Sequence, residues 1–304
     1  MSVTEDFNLT AAERDLLPTA EEVAQYAERG WHLSRPLFSD EELDLLQEAT
    51  EKYYEGHRDR TLPARPPHLA SWEPSHGRVQ RHNDYIHYES ETVGRILRKP
   101  LLGAVAAALA QASQIRVFQA TLIYKPPNAR EATNLVPWHM DRHYWQTCTS
   151  QRMLTAFIPF HDCGVRMGTI TMIDGSNRWR EPAEADDSTR HFAERDRGEL
   201  EQILAATARL NGQEIRRVPV EILRGQVSFH HCMTYHGSGA NLSGLPRRAI
   251  SLHLQDGENR HRPFPRPDGT PVVYNHDVLV RRTADGLPDY ADPEFCPTLW
   301  KAPA

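Results

Sequence analysis

His139 and Asp141 stand two residues apart in the stretch VPWHMDRHYW (residues 136–145), between a proline and a group of aromatics. In extended chain, residues i and i+2 share a face, so an imidazole and a carboxylate would enter the same space from backbone positions about 7 Å apart. One of each at that spacing closes on a single ion. Two histidines and one carboxylate on one face of a metal leave three adjacent positions open, which is the ligand pattern of non-haem iron sites that activate oxygen. The third ligand has to come from elsewhere, and His236 is the candidate. The pair alone is weak, because 16 histidines make such coincidences easy.

The elements that would hold these residues can be read from spacing. Thr19 with Glu22, and Ser39 with Glu42, have the capping-box interval and predict two helix starts, with a short strand at Gly30-Trp31-His32-Leu33 between them. Ile96, Leu97, Leu101, Val105, Ala108 and Leu109 predict a helix over 91–112. From residue 115 the texture changes to short β-rich runs separated by Pro, Gly and Asn: IRVFQATLIYK, RMLTAFIPF, GTITMID, VPVEIL, QVSFHHCMTYH and RRAISLHLQ. That spacing predicts a sandwich or barrel. A charged insertion at 179–212 interrupts it, with a helix expected over 197–210 and a surface excursion or active-site lid as its two readings. The expected organisation is one domain over 1–304: a helical part to about 113, a β core over 114–256, and a Pro-rich, irregular tail over 257–304.

Totals exclude some functions. The 35 basic and 41 acidic residues leave a formal charge of −6, so the electrostatic footprint of a general nucleic-acid binder is missing and a small molecule is the expected partner. The four cysteines form no CxxC pair, which argues against a zinc knuckle and a disulfide framework. MSVTEDFNLT lacks the basic-then-apolar order of a signal peptide, and no run of eighteen apolar residues occurs, so a soluble cytoplasmic protein without membrane partners is expected. HExxH and GxSxG are also missing, against a zinc hydrolase or a serine hydrolase.

Four pieces in order, FSDEEL after the Gly-Trp strand, TLIYKPPN before WHMD, GTITMIDGSN, and HGSGAN followed by Arg247, resemble the phytanoyl-CoA dioxygenase family of Fe(II)- and 2-oxoglutarate-dependent oxygenases. Asn177 departs from that family's "GSH" turn, at a position that is not a metal ligand there. The resemblance implies a double-stranded β-helix, a jelly-roll-like or cupin-like barrel with N-terminal helices on its major sheet. It implies Fe(II) held by His139, Asp141 and His236, with 2-oxoglutarate and O2 as cosubstrates.

It also implies an arginine for the distal carboxylate of 2-oxoglutarate about eleven residues past the last histidine, where Arg247 and Arg248 both stand. If RRAISLHL is a strand, Arg248 shares a face with Ile250, Leu252 and Leu254, and Arg247 with Ala249, Ser251 and His253. The smaller, more polar face suits a barrel interior, so Arg247 is assigned to the cosubstrate and Arg248 to structure.

By the same resemblance Ser238 is a hydroxyl donor to that carboxylate, or else an organiser of its turn. Thr121 and Phe157 line the cosubstrate pocket, with ordinary core as the alternative for Phe157. Arg78 approaches it, and Lys125 reaches it or ends a solvated strand. Trp138, Tyr144 and Trp145 wall a substrate pocket or plug the barrel mouth. His143, His230, His231 and His253 are read as hydrogen-bonded structural histidines.

Asp141 occupies the position that halogenases of this chemistry leave open for chloride, so hydroxylation or oxidative cyclisation of a small polar metabolite is expected, in a bacterial biosynthetic pathway such as that of an antibiotic. An acyl-CoA or amino-acid hydroxylase of the same family is the alternative, and a non-catalytic small-molecule-binding barrel is the alternative of another class.

Overall fold

The computed structural model describes residues 7–128, 134–181, 197–266 and 268–303. The α-helices among the described residues are α1 (Ala11–Arg14), α2 (Ala20–Arg29), α3 (Asp40–Tyr54), α4 (Ile86–Glu89), α5 (Glu91–Leu97), α6 (Pro100–Ala110) and α7 (Arg197–Leu210). The strands are β1 (Trp31–Leu33), β2 (Arg81–Asp84), β3 (Gln114–Lys125), β4 (Val136–His139), β5 (Leu154–Pro159), β6 (Ile170–Ile173), β7 (Arg217–Pro219), β8 (Ser228–His231), β9 (His236–Ser238), β10 (Arg247–Asp256) and β11 (Thr298–Lys301). Thr19 and Ser39 cap α2 and α3, each with a complete capping box to Glu22 and Glu42. None of these helices is long and apolar enough to cross a membrane.

The strands form two antiparallel sheets of the double-stranded β-helix, which do not close into a barrel among the described residues. The major sheet runs β1-β8-β5-β10-β3-β11, with β2 also paired to β3, and the minor sheet runs β4-β9-β6-β7. Alternation along β10 separates its two sides: Ile250, Leu252 and Leu254 join the apolar core with Leu43, Leu101 and Val105 of the helices, while Arg247, Ser251 and His253 face a cavity between the sheets. On β3 a register shift at Phe118 changes the phase, so Val117 and Ala120 both meet the helices while Gln119 and Thr121 face the cavity.

Three expectations are corrected. The helix over 91–112 is two helices, because Pro100 lacks an amide hydrogen and disfavours helical geometry at Lys99, whose ψ is 120°. The strand through His139 stops there: Met140 keeps extended geometry, and Asp141 opens a 3-10 turn to His143. The tail is not merely irregular, since β11 adds a strand beside β3, and Leu279, Val280, Tyr290, Phe295 and Cys296 pack with Phe118 and Trp145 in a second core. The insertion at 179–212 falls partly on 182–196, outside the described residues; its second half is α7, which buries Leu200, Leu204 and Ala208.

The tail strand lies close against α6. A Cβ on Gly103 would stand 2.6 Å from the Cβ of Trp300 and 2.8 Å from Cγ of Leu299. Gly103→Ala should therefore overpack this seam and lower unfolding stability by about 1–3 kcal/mol, read from the urea midpoint. An unchanged midpoint would mean that β11 does not seat on the helix this closely.

Candidate metal centre

His139 and His236 face each other across the β4–β9 pair as register partners, with ring centroids 4.2 Å apart. Each imidazole is oriented by a carbonyl two residues back: His139 Nδ1 donates to Pro137 O and His236 Nδ1 to Thr234 O, both at 2.9 Å. That tautomer leaves each Nε2 as an acceptor. Asp141, brought round by the 3-10 turn, presents Oδ1 at 3.9 Å from His139 Nε2 and 3.7 Å from His236 Nε2. One donor atom from each of the three buried residues lies within 4.8 Å of the others.

Burial opposes the ionisation of Asp141, but the imidazoles of His236, His230 and His253 outweigh it and hold the carboxyl well below its usual range. His236 is pushed the opposite way, well below the ordinary imidazole value, by burial first and then by His230 and His139. The two directions do not describe a simple ion pair. With Asp141 ionised and the Nδ1 protons committed to carbonyls, three acceptors converge on one point, an arrangement that a divalent cation resolves. The residues fit an iron ion of the facial type.

A further set of side chains holds Asp141 from its other oxygen. Thr155 Oγ1 donates to Asp141 Oδ2 at 2.5 Å and is itself 2.8 Å from His253 Nδ1, while His230 Nε2 lies 3.3 Å from Oδ2 without hydrogen-bond alignment. Thr155 carried no signal of its own beyond sharing strand parity with Phe157.

Arg247 is fully buried, stands 5.3 Å above the Phe157 ring, donates from Nη1 to Gly168 O at 2.6 Å, and leaves Nε without a partner. Its register partner Lys125 is also fully buried, donating to Ser238 Oγ at 2.7 Å and Gly239 O at 2.6 Å. Burial, then the charge of Arg247, pushes the Lys125 amine well down. Among the described residues no carboxylate pairs with either cation. Arg247, a buried cation without a carboxylate partner, makes a seat for an anion, and Lys125 holds Ser238 beside it. Arg248, on the other side of β10, pairs instead with Glu51 of α3 at 3.0 Å.

His139, Asp141, His236, Ser238, Arg247, Thr121, Phe157, Tyr144 and Trp145 all line one cavity of about 260 Å³. Lys125 does not line it but holds Ser238, which does. Trp138 and Arg78 are elsewhere. Trp138 alternates with His139 and so turns to the opposite face of β4, where it packs with the cluster that includes Met140, Leu204 and Tyr235. Arg78 is exposed and donates to Pro127 O at 3.1 Å. Of the remaining histidines, His143 binds Glu181 Oε1 at 2.7 Å, and His231 accepts from the Met233 amide. Asp84, Gln119 and Tyr274 also line the cavity, and the spacing of the sequence gave no hint of them.

The chain matches the family described as phytanoyl-CoA dioxygenase (PhyH) over residues 26–249. It is 26% identical over 259 residues to the ectoine dioxygenase of Bordetella bronchiseptica, covering 82% of this chain and 81% of that protein. Among solved structures, it is similar in fold to the epimerase SnoN from nogalamycin biosynthesis in complex with Fe3+, alpha ketoglutarate and nogalamycin RO (TM-score 0.63, 23% identity, 95% of this chain and 99% of that one). EctD from S. alaskensis with 2-oxoglutarate and 5-hydroxyectoine is similar to a like degree (TM-score 0.62, 21% identity, 90% and 89%).

Thr155→Val keeps the shape of the side chain and removes the hydroxyl that orients Asp141. Fe(II) affinity, titrated without oxygen, should fall about 10- to 100-fold, as when other partners that orient a metal ligand are lost, with the fold retained. Unchanged affinity would show that Thr155 does not orient the carboxylate.

Proposed function

The chain belongs to the phytanoyl-CoA dioxygenase family of iron- and 2-oxoglutarate-dependent oxygenases, and from that membership we propose that His139, Asp141 and His236 hold Fe(II) for the oxidation of a small polar metabolite. The observation that carries the reading is the pairing, in one cavity, of three convergent acceptors with a buried Arg247 that no carboxylate neutralises among the described residues. Fe(II) held there with 2-oxoglutarate would supply the means to use O2, one oxygen atom going into succinate, formed with release of CO2, and the other serving to oxidise the substrate.

This chain's residues do the positioning. Arg247 offers the distal carboxylate a guanidinium whose Nε is unused, Ser238 offers a hydroxyl, and Lys125 fixes Ser238. Thr155, His253 and His230 keep Asp141 turned so that Oδ1 faces the two imidazoles. Tyr144, Trp145 and Phe157 narrow the cavity and exclude water from the reacting carbon.

The presence of Asp141 favours hydroxylation or oxidative cyclisation over halogenation. A polar substrate is supported by a cavity lined with His68, Asp84, Gln119 and Asn275 as well as with aromatics, and a place in bacterial secondary metabolism by the likeness to SnoN. The excess of acidic residues disfavours a coenzyme A thioester, whose phosphates would want a basic approach.

Asp141→Ala should abolish Fe(II) binding and turnover; an anaerobic titration that still shows one tight site would put the metal elsewhere. The adjacent arginines give a second test. Arg247→Ala removes a charge-assisted contact in a desolvated pocket, a loss of about 2 to 5 kcal/mol in cosubstrate binding. The apparent 2-oxoglutarate constant should then rise roughly thirty-fold or more. Arg248→Ala loses a partly exposed ion pair to Glu51, worth about 0–1 kcal/mol of stability, and should leave that constant alone. The reverse pattern would mean the cosubstrate is not gripped from this face of β10.

A further inference from the structure

Asp84 is buried in the wall of the cavity and has no cationic partner among the described residues. Its carboxylate accepts two neutral hydrogen bonds, from Thr121 Oγ1 at 2.7 Å and from the Ala70 amide at 3.1 Å. Burial pushes its pKa up to about 6, because no cation among the described residues offsets the desolvation of the carboxylate. A buried charge left with only neutral partners is costly. A structural staple between the segment at Ala70 and strand β3 needs acceptor atoms, and an asparagine or a backbone carbonyl would supply them without the charge. The negative charge therefore has to be explained by what enters the cavity.

Register on the major sheet says where that charge lies. Arg247 and Lys125 form one row. Asp84, Thr121, Ser251 and Phe157 form another, four residues further along β3, or about 13 Å. Gln119, His253 and Thr155 form the next, which carries the support of the metal centre. The path from Arg247 to the candidate metal ligands follows the β10 and β5 side of the cavity, by Ser251 and Thr155. Asp84 is on β2, across β3 from that path, and on this side the cavity is walled by the tail: Tyr274 donates its hydroxyl to Gln119, and Asn275 accepts from the His68 amide. His68, His82 and Arg266 line the same cavity, but none is in ion-pairing range of the carboxylate, and Arg266 donates to Pro271 O.

We propose that Asp84 is the anchor for a protonated amine of the substrate, so that the small polar metabolite oxidised here is an amine, bound between β2 and the tail with its charged group across the cavity from the carbon that reacts. The proposal rests on the oxygenase reading above and adds to it the class of substrate. The cavity then holds two opposite subsites, a cationic one for the dicarboxylate cosubstrate and an anionic one for the amine, and neither ligand is suited to the seat of the other.

The test uses a matched pair of probes, cyclohexylammonium and cyclohexanol, titrated by calorimetry at pH 7 into protein loaded with Fe(II) and 2-oxoglutarate under nitrogen. The ammonium should bind at least tenfold more tightly than the alcohol, and Asp84→Asn, which keeps the size and one acceptor of the side chain, should abolish that preference. Equal binding of the two, no binding of the amine, or a preference that survives in Asp84→Asn overturns the proposal. If the variant does not fold, as a thermal melt would show, the comparison in the unmodified protein decides alone. Binding of 2-oxoglutarate in the same samples separates the two levels: its loss in the unmodified protein would sink the oxygenase reading, whereas cosubstrate binding without an amine preference sinks only the role of Asp84.

Discussion

The structure is organised around holding a buried carboxylate beside two buried imidazoles. Asp141 is buried in the cavity wall, and the two imidazoles beside it turn lone pairs, not protons, towards its Oδ1. Like ends of dipoles and a negative oxygen do not gather unless a positive charge belongs at their meeting point. Everything nearby holds this unfavourable arrangement still: carbonyls of Pro137 and Thr234 behind the imidazoles, Thr155 and His230 behind the carboxylate, and the β4–β9 pairing that sets His139 opposite His236. An assembly that would fly apart as an isolated cluster is kept by sheets whose outer faces are buried under helices.

That division of labour depends on strand alternation. β10 serves both sides at once, giving Ile250, Leu252 and Leu254 to the helices and Arg247, Ser251 and His253 to the cavity. A slip of one residue would expose Arg247 and drive leucines into the site. The apolar face that stabilises the domain therefore also fixes which arginine is available to an anion, and the stability of the core and the phase of the site are one constraint.

Where the sequence was legible, it was legible through this same periodicity. Both capping boxes, the helix at 197–210, and the opposite sides of Arg247 and Arg248 follow from local spacing, whereas His139 meets Asp141 through a 3-10 turn and not through strand alternation. What was not legible depends on contacts between distant segments. Arg78 was placed near the cosubstrate, yet a loop residue has no alternation to aim it, and its guanidinium lies on the surface beside Pro127. Trp138 shares the aromatic character of Tyr144 and Trp145 but not the phase of His139. Asp84 is an ordinary acidic residue until β2 is known to pair with β3, and the break at Pro100 lost out, in the reading of one long helix, to the hydrophobic pattern that runs through it.

The tail shows how a common centre and a particular substrate are separated in one chain. The family match ends at residue 249, within β10, after all three candidate ligands and Arg247. The wall formed by Val272, Val273, Tyr274 and Asn275 comes later, held in place by the second core and by β11 alongside β3. Chemistry at the metal is thus built from segments the chain shares with its family, while the side of the cavity facing Asp84 is completed by residues outside the match. The tail meets the body of the domain at several places: Tyr274 with Gln119 and Phe118, Asn275 with the His68 amide, and Tyr290 with Thr147 and Gln255. A fold arranged in this way puts His139, His236 and Arg247 on the paired strands and leaves one wall of the cavity to the tail.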